Sequence, residues 1–195
     1  QDGNKIFLLT KSNLIFKFVN KINLHIPVFY FTDSKYTLYT IVSITSIMVH
    51  STNQNICYDI YIIVDPNFPK VHRERLQSLE RKYERLTINI KEFTRSFPSK
   101  LKKHANSYST YYRLYLSDNF PDIKRALVFD SDALILRDLD KFYLPDMENI
   151  YYRGCYDVCE GNMSKYNFFN DHYICAGIML ANFDLIRKEN LTQKF

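Results

Sequence analysis

The 195-residue sequence predicts an α/β fold, in which a mostly parallel sheet is flanked by helices. Short apolar, β-rich runs alternate along the chain with longer amphipathic segments, the order typical of strand–helix–strand units. The predicted strands are almost continuously apolar, as are strands covered by helices on both faces of a parallel sheet. Ligands of such sheets bind outside the carboxyl ends of the strands. A functional site is therefore expected where those strands end.

Four strands are predicted in the first two thirds of the chain. They are apolar runs rich in β-branched and aromatic residues, and two of them end at Asp33-Ser34 and Asp65-Pro66, which favour turns. The predicted strands cover residues 26–32, 57–65, 86–91 and 125–130.

Three helices are predicted between these strands, where apolar residues recur every three or four positions. They cover residues 35–50, 70–85 and 106–120, and Ser107 is a candidate N-cap of the third. The second interleaves acids with bases around its apolar stripe. This pattern indicates a solvated helix face rather than a nucleic-acid surface.

Two further elements are expected in the last quarter of the sequence. Residues 149–158 contain a candidate strand, and residues 172–190 begin with an apolar run and continue as a helix that opens between Asn182 and Asp184. The apolar run contains the pair Ala176-Gly177. Glycine here allows either a close approach of backbone and ligand or simply close packing.

Composition excludes several classes of protein. The chain is 46% hydrophobic and 24% charged, which describes a soluble globular domain rather than a disordered chain. The formal net charge of +5 is spread along the sequence, so no nucleic-acid partner is predicted. The four cysteines lack zinc-ligand spacing and are expected to be reduced thiols, as in a cytosolic protein.

The first 25 residues are predicted to be an extension of a domain that covers residues 26–195. Residues 6–26 are apolar but are interrupted by Lys11, Lys17 and Lys21, so they do not form a membrane span. They lack the cleavage site of a signal peptide. Two expectations stay open for this segment, an amphipathic surface helix and a poorly ordered extension.

Asp130 and Asp132 follow the fourth predicted strand directly. In an extended segment, residues i and i+2 point to the same side, so the two carboxylates are expected to lie together. Their repulsion is relieved by a hard divalent ion such as Mn²⁺ or Mg²⁺, which prefers oxygen ligands and substrate phosphates. The alternative is a turn or helix cap, and Asp138 is predicted to be such a cap. No glycine-rich phosphate loop occurs.

Four stretches of the sequence, in this order and spacing, resemble glycosyltransferase family 8. They are "IPVFYFTDSKYTLYTIVSITSIMVHS", "YSTYYRLYLSDNFPDIKRALVFDSDALILRDLDKFY", "ENIYYRGCYDV" and "FNDHYICAGIMLANFDLIRKEN". The match covers most of residues 26–190. The resemblance implies the GT-A fold with its Rossmann-like nucleotide-binding half, and the bacterial lipopolysaccharide glucosyl- and galactosyltransferases look closest.

The resemblance also implies an activity. It is the metal-dependent transfer of a hexose from a UDP-sugar to a saccharide or glycolipid acceptor, with retention of anomeric configuration. No residue of the chain is identified as the nucleophile. The resemblance places the protein in a bacterial cytoplasm or at the inner membrane surface, and it leaves peripheral membrane association and oligomeric state open.

Individual residues receive roles from the same resemblance. Asp33 and Tyr36 would contact the uracil; the alternatives are a turn for Asp33 and a core ring for Tyr36. Arg113 would hydrogen-bond the donor sugar or diphosphate; the alternative is a surface arginine in an ion pair. Asp130 would reach the ribose or the metal, and Asp132 would ligate Mn²⁺ or Mg²⁺. The other residues expected at the nucleotide-sugar site are Thr32, Ser131, Cys175, Ala176 and Gly177.

The sequence departs from the family pattern at two points. Cys175 stands where the family has asparagine, so a weakly polar thiol replaces an amide. The family's later Asp-Gln and His-x-x-Gly-x-x-Lys motifs, which supply a third metal ligand and a diphosphate contact, are not in these 195 residues. The missing motifs leave one alternative, a truncated, inactive domain that binds UDP or does not. A second alternative is a phosphatase of the haloacid-dehalogenase type, which also has two aspartates, separated by one residue, after an apolar strand.

Overall fold

Six strands form the central sheet of the protein in this computed structural model, which describes residues 8–10, 13–15, 23–94, 109–156 and 174–194. In chain order the strands of this sheet are β3 (Leu24–Thr32), β4 (Ile56–Val64), β5 (Leu86–Glu92), β6 (Arg125–Phe129), β7 (Tyr152–Tyr156) and β8 (Ile174–Asn182). The four strands predicted in the first two thirds of the chain are therefore confirmed.

A separate antiparallel pair precedes the sheet, formed by β1 (Leu8–Thr10) and β2 (Asn13–Ile15). An amphipathic helix, one of the two expectations for residues 6–26, is therefore wrong for Leu8–Thr10 and Asn13–Ile15, which are extended. The division of the chain at residue 25 stays a prediction.

The sheet order is β5-β4-β3-β6-β8-β7. The first four strands of this order are parallel, β8 runs antiparallel to β6, and β7 runs antiparallel to β8. The chain moves outward from β3 to β4 and β5 on one side and then continues at β6 on the other. The order therefore reverses between β3 and β6, and this switch point opens a crevice at the carboxyl edge of the sheet.

The helices are α1 (Thr37–His50), α2 (Lys70–Gln77), α3 (Ser109–Tyr112), α4 (Leu116–Asn119), α5 (Asp140–Tyr143) and α6 (Phe183–Lys188). Two predicted helices are shorter or less regular than expected. The predicted helix over residues 70–85 ends at Gln77 and continues as tight i→i+3 turns. In the third, a 3₁₀ turn at Arg113–Tyr115 separates α3 from α4, and Ser107 lies outside the described residues.

Two hydrophobic clusters cover the two faces of the sheet. On one face, α1 packs Ile44 and Ile47 against strand residues such as Tyr30, all of them buried. On the other face, Phe29 of β3 packs with residues of α3, α4 and α6, among them Phe183. Burying a side chain of this size stabilises the fold by roughly 1.5–3 kcal/mol. The strands are buried on both faces, as their continuous apolar sequence predicts.

Cys57, Cys155 and Cys175 are free thiols, and Cys159 lies outside the described residues. Among the helices that the structure describes, none has the length and apolar character needed to cross a membrane.

Candidate functional site

The candidate site lies at the carboxyl edge of the sheet, at the switch point between β3 and β6. The register pairs Tyr30 with Phe129, so these neighbouring parallel strands end together. Because β8 is antiparallel to β6, the beginning of β8 reaches the same edge, where Ile178 pairs with Phe129. The topology therefore brings together three sequence-predicted groups: the residues after β3, the residues after β6, and Cys175-Ala176-Gly177.

A tight turn follows β6. The amide of Ala133 donates to the Asp130 carbonyl at 3.1 Å, so this segment forms a turn. The extended segment predicted from the sequence is therefore wrong. Ser131 is buried, and its hydroxyl donates to the Phe31 carbonyl of β3 at 2.7 Å. Turning Ser131 inward leaves Asp130 and Asp132 exposed on either side of it. Asp130, which contacts Arg113 and Gly177, therefore lies at the crevice. Asp132 is exposed two residues later, on a turn rather than on the pleat of a strand.

Three contacts fix the position of Asp130. Its amide donates to the Gly177 carbonyl at 2.8 Å, which ties the turn to β8. Its Oδ1 accepts from Nη2 of Arg113 at 3.0 Å. A Cβ added at Gly177 would lie 2.5 Å from Oδ2 and 3.1 Å from Cγ of Asp130. The Asp130 carboxylate can therefore occupy this position only because residue 177 is glycine. This is the close packing that was one of the two expectations for Ala176-Gly177.

Arg113 is largely shielded from solvent: only 11% of its side chain is exposed. Besides Asp130, its guanidinium donates from Nη1 to the carbonyl of Ala176 and lies 5.6 Å from the centre of the Phe31 ring. Its Nε is buried without a hydrogen-bond partner among the described residues. The alternative for Arg113 was a surface arginine in an ion pair. The surface position is wrong, but the ion pair is present and its partner is Asp130.

Residue Tyr112, next to Arg113, anchors α3 to the end of β4. Its hydroxyl donates to Oδ1 of Asp65 at 2.5 Å, and its ring stacks on Phe93 with 3.8 Å between centroids. Burial and the hydrogen bond to Asp65 raise the pKa of the Tyr112 hydroxyl, which therefore stays a protonated donor. Sequence reasoning missed the role of Asp65. The signal was present, because Asp65 follows an apolar strand as Asp130 does.

The residues after β3 form the other side of the crevice. Oδ1 of Asp33 accepts from the amides of Lys35 and Tyr36 at 2.8 and 2.9 Å, which shapes the turn before α1. Thr32 is buried and accepts from the Thr40 hydroxyl at 2.8 Å. Tyr36 is 47% exposed, so the core-ring alternative is wrong. Asp33 therefore shapes a turn, as its alternative predicted. Tyr36 remains accessible to solvent.

Asp138 does not cap α5. Its carboxylate accepts from the amide and the hydroxyl of Thr52, at 2.7 and 2.5 Å, and α5 has Leu139 at its N-cap position. The helix-cap prediction for Asp138 is wrong because a distant loop provides better donors.

The residues present fit part of a divalent-cation site. Asp130 and Asp132 offer exposed carboxylate oxygens, which hard cations prefer. The described part of the chain contains no group of three His, Cys, Asp or Glu side chains able to hold a metal ion. A cation bound at these two carboxylates would therefore take its remaining oxygens from a ligand or from water.

Comparison with known proteins identifies the class to which this fold and site belong. The family model "Glycosyl transferase family 8" matches residues 27–195, so the chain belongs to glycosyltransferase family 8. This membership argues against the haloacid-dehalogenase alternative.

Two curated bacterial relatives show how much of a longer protein the chain resembles. General stress protein A of Bacillus subtilis is 25% identical over 68% of this chain and 48% of its own length. Glycosyltransferase GlyA of Streptococcus pneumoniae is 25% identical over 75% of this chain and 20% of its own length. The chain spans about half or less of the length of these relatives.

Solved structures confirm the GT-A-type fold. The bifunctional glycosyltransferase WbbM superposes with a TM-score of 0.71 at 21% identity, covering 93% of this chain and 36% of WbbM. The galactosyltransferase LgtC, crystallised with donor and acceptor sugar analogues, gives 0.64 at 19% identity, covering 84% of this chain and 60% of LgtC. A mannosyltransferase from Pyrobaculum calidifontis, solved with GDP-Man and Mn²⁺, gives 0.51 at 10% identity, covering 86% and 47%.

Proposed function

We propose that this chain forms the donor-binding part of a retaining glycosyltransferase that moves a hexose, glucose or galactose, from a UDP-sugar to a saccharide or glycolipid acceptor. The observation that carries the proposal is the pair of exposed aspartates in the turn after β6, at the switch point, with the largely shielded Arg113 bound to one of them. Family membership supplies the reaction class. We place the protein in a bacterial cytoplasm, at the inner membrane surface when its acceptor is a glycolipid.

The chain's own residues divide the donor between two sides of the crevice. Tyr36, with its exposed ring, stacks on the uracil, and Asp33 contacts the polar edge of the same base. Asp130 and Asp132 would hold a divalent cation that neutralises the diphosphate, and Arg113 fixes the orientation of Asp130. Cys175, Ala176 and Gly177 line the sugar pocket at the start of β8. Ser131 and Thr32 hold the two turns in place from inside the fold.

Transfer breaks the bond between the anomeric carbon and the UDP oxygen and forms a bond to the acceptor hydroxyl oxygen, which loses its proton. A bound Mn²⁺ or Mg²⁺ would neutralise the charge that develops on the β-phosphate. Asp130 must therefore present its oxygens without being displaced, which is what the contacts to Arg113 and Gly177 provide. A carboxylate held before the ligand arrives needs no reorganisation during the reaction.

Isothermal calorimetry with UDP, with and without Mn²⁺, tests the donor site directly. We expect binding that requires Mn²⁺ and that is lost in Asp132→Asn. Asp122→Asn is the matched control, because this exposed aspartate precedes β6 instead of following it. If Asp132→Asn binds UDP with Mn²⁺ as tightly as the unaltered chain, the proposed role of this carboxylate is wrong.

Transfer itself is tested separately, by following release of UDP from UDP-glucose and UDP-galactose with an oligosaccharide acceptor. Mn²⁺-dependent UDP binding without transfer by this chain would support the alternative of a donor-binding domain that is inactive by itself.

A further inference from the structure

We infer that Arg113 acts as a resident counter-cation for Asp130, which makes divalent-cation binding depend on the donor diphosphate. The inference deepens the proposed function and rests on it. Its basis is the ion pair between Nη2 of Arg113 and Oδ1 of Asp130, at 3.0 Å.

Arg113 is held in place by groups other than Asp130. Its Nη1 donates to the Ala176 carbonyl, its guanidinium lies against the Phe31 ring, and the side chain is 89% shielded from solvent, being 11% exposed. The Tyr112 hydroxyl donates to Asp65, which fixes the end of α3 directly before Arg113. The positive charge therefore stays beside Asp130 whether or not a metal ion is present.

This fixed charge has opposite effects on a cation alone and on a cation with a diphosphate. A divalent cation that approaches Asp130 alone meets a carboxylate already neutralised, and it is repelled by the guanidinium. A UDP diphosphate brings negative charge and further oxygen ligands, so it attracts both the cation and the arginine. The cation and the nucleotide should therefore bind with positive coupling, which by linkage works in both directions.

Asp132 differs from Asp130 in having no such counter-charge among the described residues. Its carboxylate is exposed and has no hydrogen bond or ion pair to any residue within the described ranges. It can ligate a cation without losing a partner, but a single exposed carboxylate holds a divalent ion weakly. The coupling is therefore expected to arise at Asp130.

The test is the affinity for Mn²⁺, measured as loss of the free-ion electron paramagnetic resonance signal, with and without UDP. In the unaltered chain, UDP should tighten Mn²⁺ binding at least about tenfold. Arg113→Gln should bind Mn²⁺ alone about three- to tenfold more tightly, because the pair is half exposed on the Asp130 side, and UDP should tighten it less.

Two further variants separate charge from structure. Arg113→Lys keeps the positive charge but loses the planar guanidinium with its paired donors. Its Mn²⁺ affinity without UDP should therefore stay as weak as in the unaltered chain. If Arg113 only supported the turn, the Lys and Gln variants would behave alike. Arg75→Gln, on the exposed face of α2, lowers the net charge equally and should change nothing.

Three results would overturn the inference: weaker or unchanged Mn²⁺ affinity without UDP in Arg113→Gln, a Lys variant that matches the Gln variant, or no coupling between UDP and Mn²⁺ in the unaltered chain. The coupling needs no substitution, so its absence from the unaltered chain would overturn the inference even if the variants unfold. If the proposed function itself is wrong, the result is different: UDP does not bind the unaltered chain at any Mn²⁺ concentration.

Discussion

The two edges of the parallel sheet use polar residues in opposite ways. At the amino edge, Nδ1 of His25 lies 2.9 Å from the Asp59 carboxylate, which also accepts from the Thr87 hydroxyl at 2.8 Å. At the carboxyl edge, Asp132 has no partner among the described residues, and Tyr36 leaves about half of its ring in solvent. Polar groups that satisfy one another stabilise a fold, whereas exposed acids and rings at a switch point are available to a ligand.

This comparison predicts that substitutions at the amino edge change stability and those at the carboxyl edge change binding. The clearest amino-edge case is Arg85, whose guanidinium donates to Ser51 Oγ and to the carbonyls of Ser51, Asn53 and Ile56. These bonds join the loop after α1 to the starts of β4 and β5.

The largest effect is expected for Arg85→Ala. Loss of a charged donor that satisfies three carbonyls should lower the free energy of unfolding by about 2–3 kcal/mol. Chemical denaturation measures this loss, and calorimetry of the folded variant should show unchanged Mn²⁺-dependent UDP affinity. If Arg85→Ala were as stable as the unaltered chain but did not bind UDP, the prediction that amino-edge substitutions change stability and not binding would be wrong.

Gly177→Ala is expected to have the next largest effect, this time on binding. The new Cβ would lie 2.5 Å from Oδ2 of Asp130, so the carboxylate must leave its present position, in which Oδ1 accepts from Arg113. We expect Mn²⁺-dependent UDP affinity to fall by roughly tenfold or more, as for the loss of one charge-assisted contact.

Gly154→Ala is the matched control for this substitution. Its added Cβ would lie 3.0 Å from the Ile178 carbonyl of the adjacent strand and near no acid. It should lower stability and leave the affinity for UDP unchanged. Equal losses of affinity in the two variants would show that general distortion of β8, rather than displacement of Asp130, is responsible.

Tyr36→Ala is predicted to have an intermediate effect. Loss of an aromatic surface from a stacked base typically costs about 1–3 kcal/mol, and we expect roughly five- to tenfold weaker UDP binding. Tyr36→Phe should bind as the unaltered chain does, because stacking needs only the ring. Neither change should affect the thermal unfolding midpoint, since the ring is exposed. UDP affinity that is the same in all three proteins would remove Tyr36 from the site.

The smallest effect is expected for Asp138→Asn and depends on pH. The hydrogen bond from the Thr52 hydroxyl lowers the pKa of Asp138 below its ordinary value of 3.8. A carboxyl with a lowered pKa in the folded state stabilises the protein above about pH 4 and loses this contribution as the pH falls through the folded-state pKa.

Denaturation of Asp138→Asn at pH 6 should therefore show a small loss of stability, under about 1 kcal/mol. The difference from the unaltered chain should disappear near pH 2. A loss that is equal at both pH values would mean that the charge of Asp138 does not contribute.

The comparison of the two edges also explains how much could be predicted from sequence. The strands were predicted because continuous apolar runs are determined locally, and so was the position of Asp130 and Asp132 at the end of β6. The turn that carries them was only the alternative to an extended segment. The antiparallel direction of β8 could not be read from its apolar pattern, which is the same for either direction. That direction is what brings Gly177 against Asp130.

The pairing of Arg113 with Asp130 was also beyond sequence reasoning. It depends on a break between α3 and α4 that helical periodicity did not indicate, and on the Ala176 carbonyl contributed by a strand 63 residues away. The helix of residues 70–85 was predicted too long for a related reason: its apolar stripe continues through turns that are not α-helical. Long-range contacts, rather than local propensity, decided both cases.

The most direct test of the central claim is a crystal structure of this chain grown with UDP and Mn²⁺, with the cation located by its anomalous signal. The account predicts Mn²⁺ about 2.0–2.3 Å from oxygens of both Asp130 and Asp132, with the diphosphate in the crevice between β3 and β6. Density for UDP at another surface, or a cation bound away from both carboxylates, would contradict it.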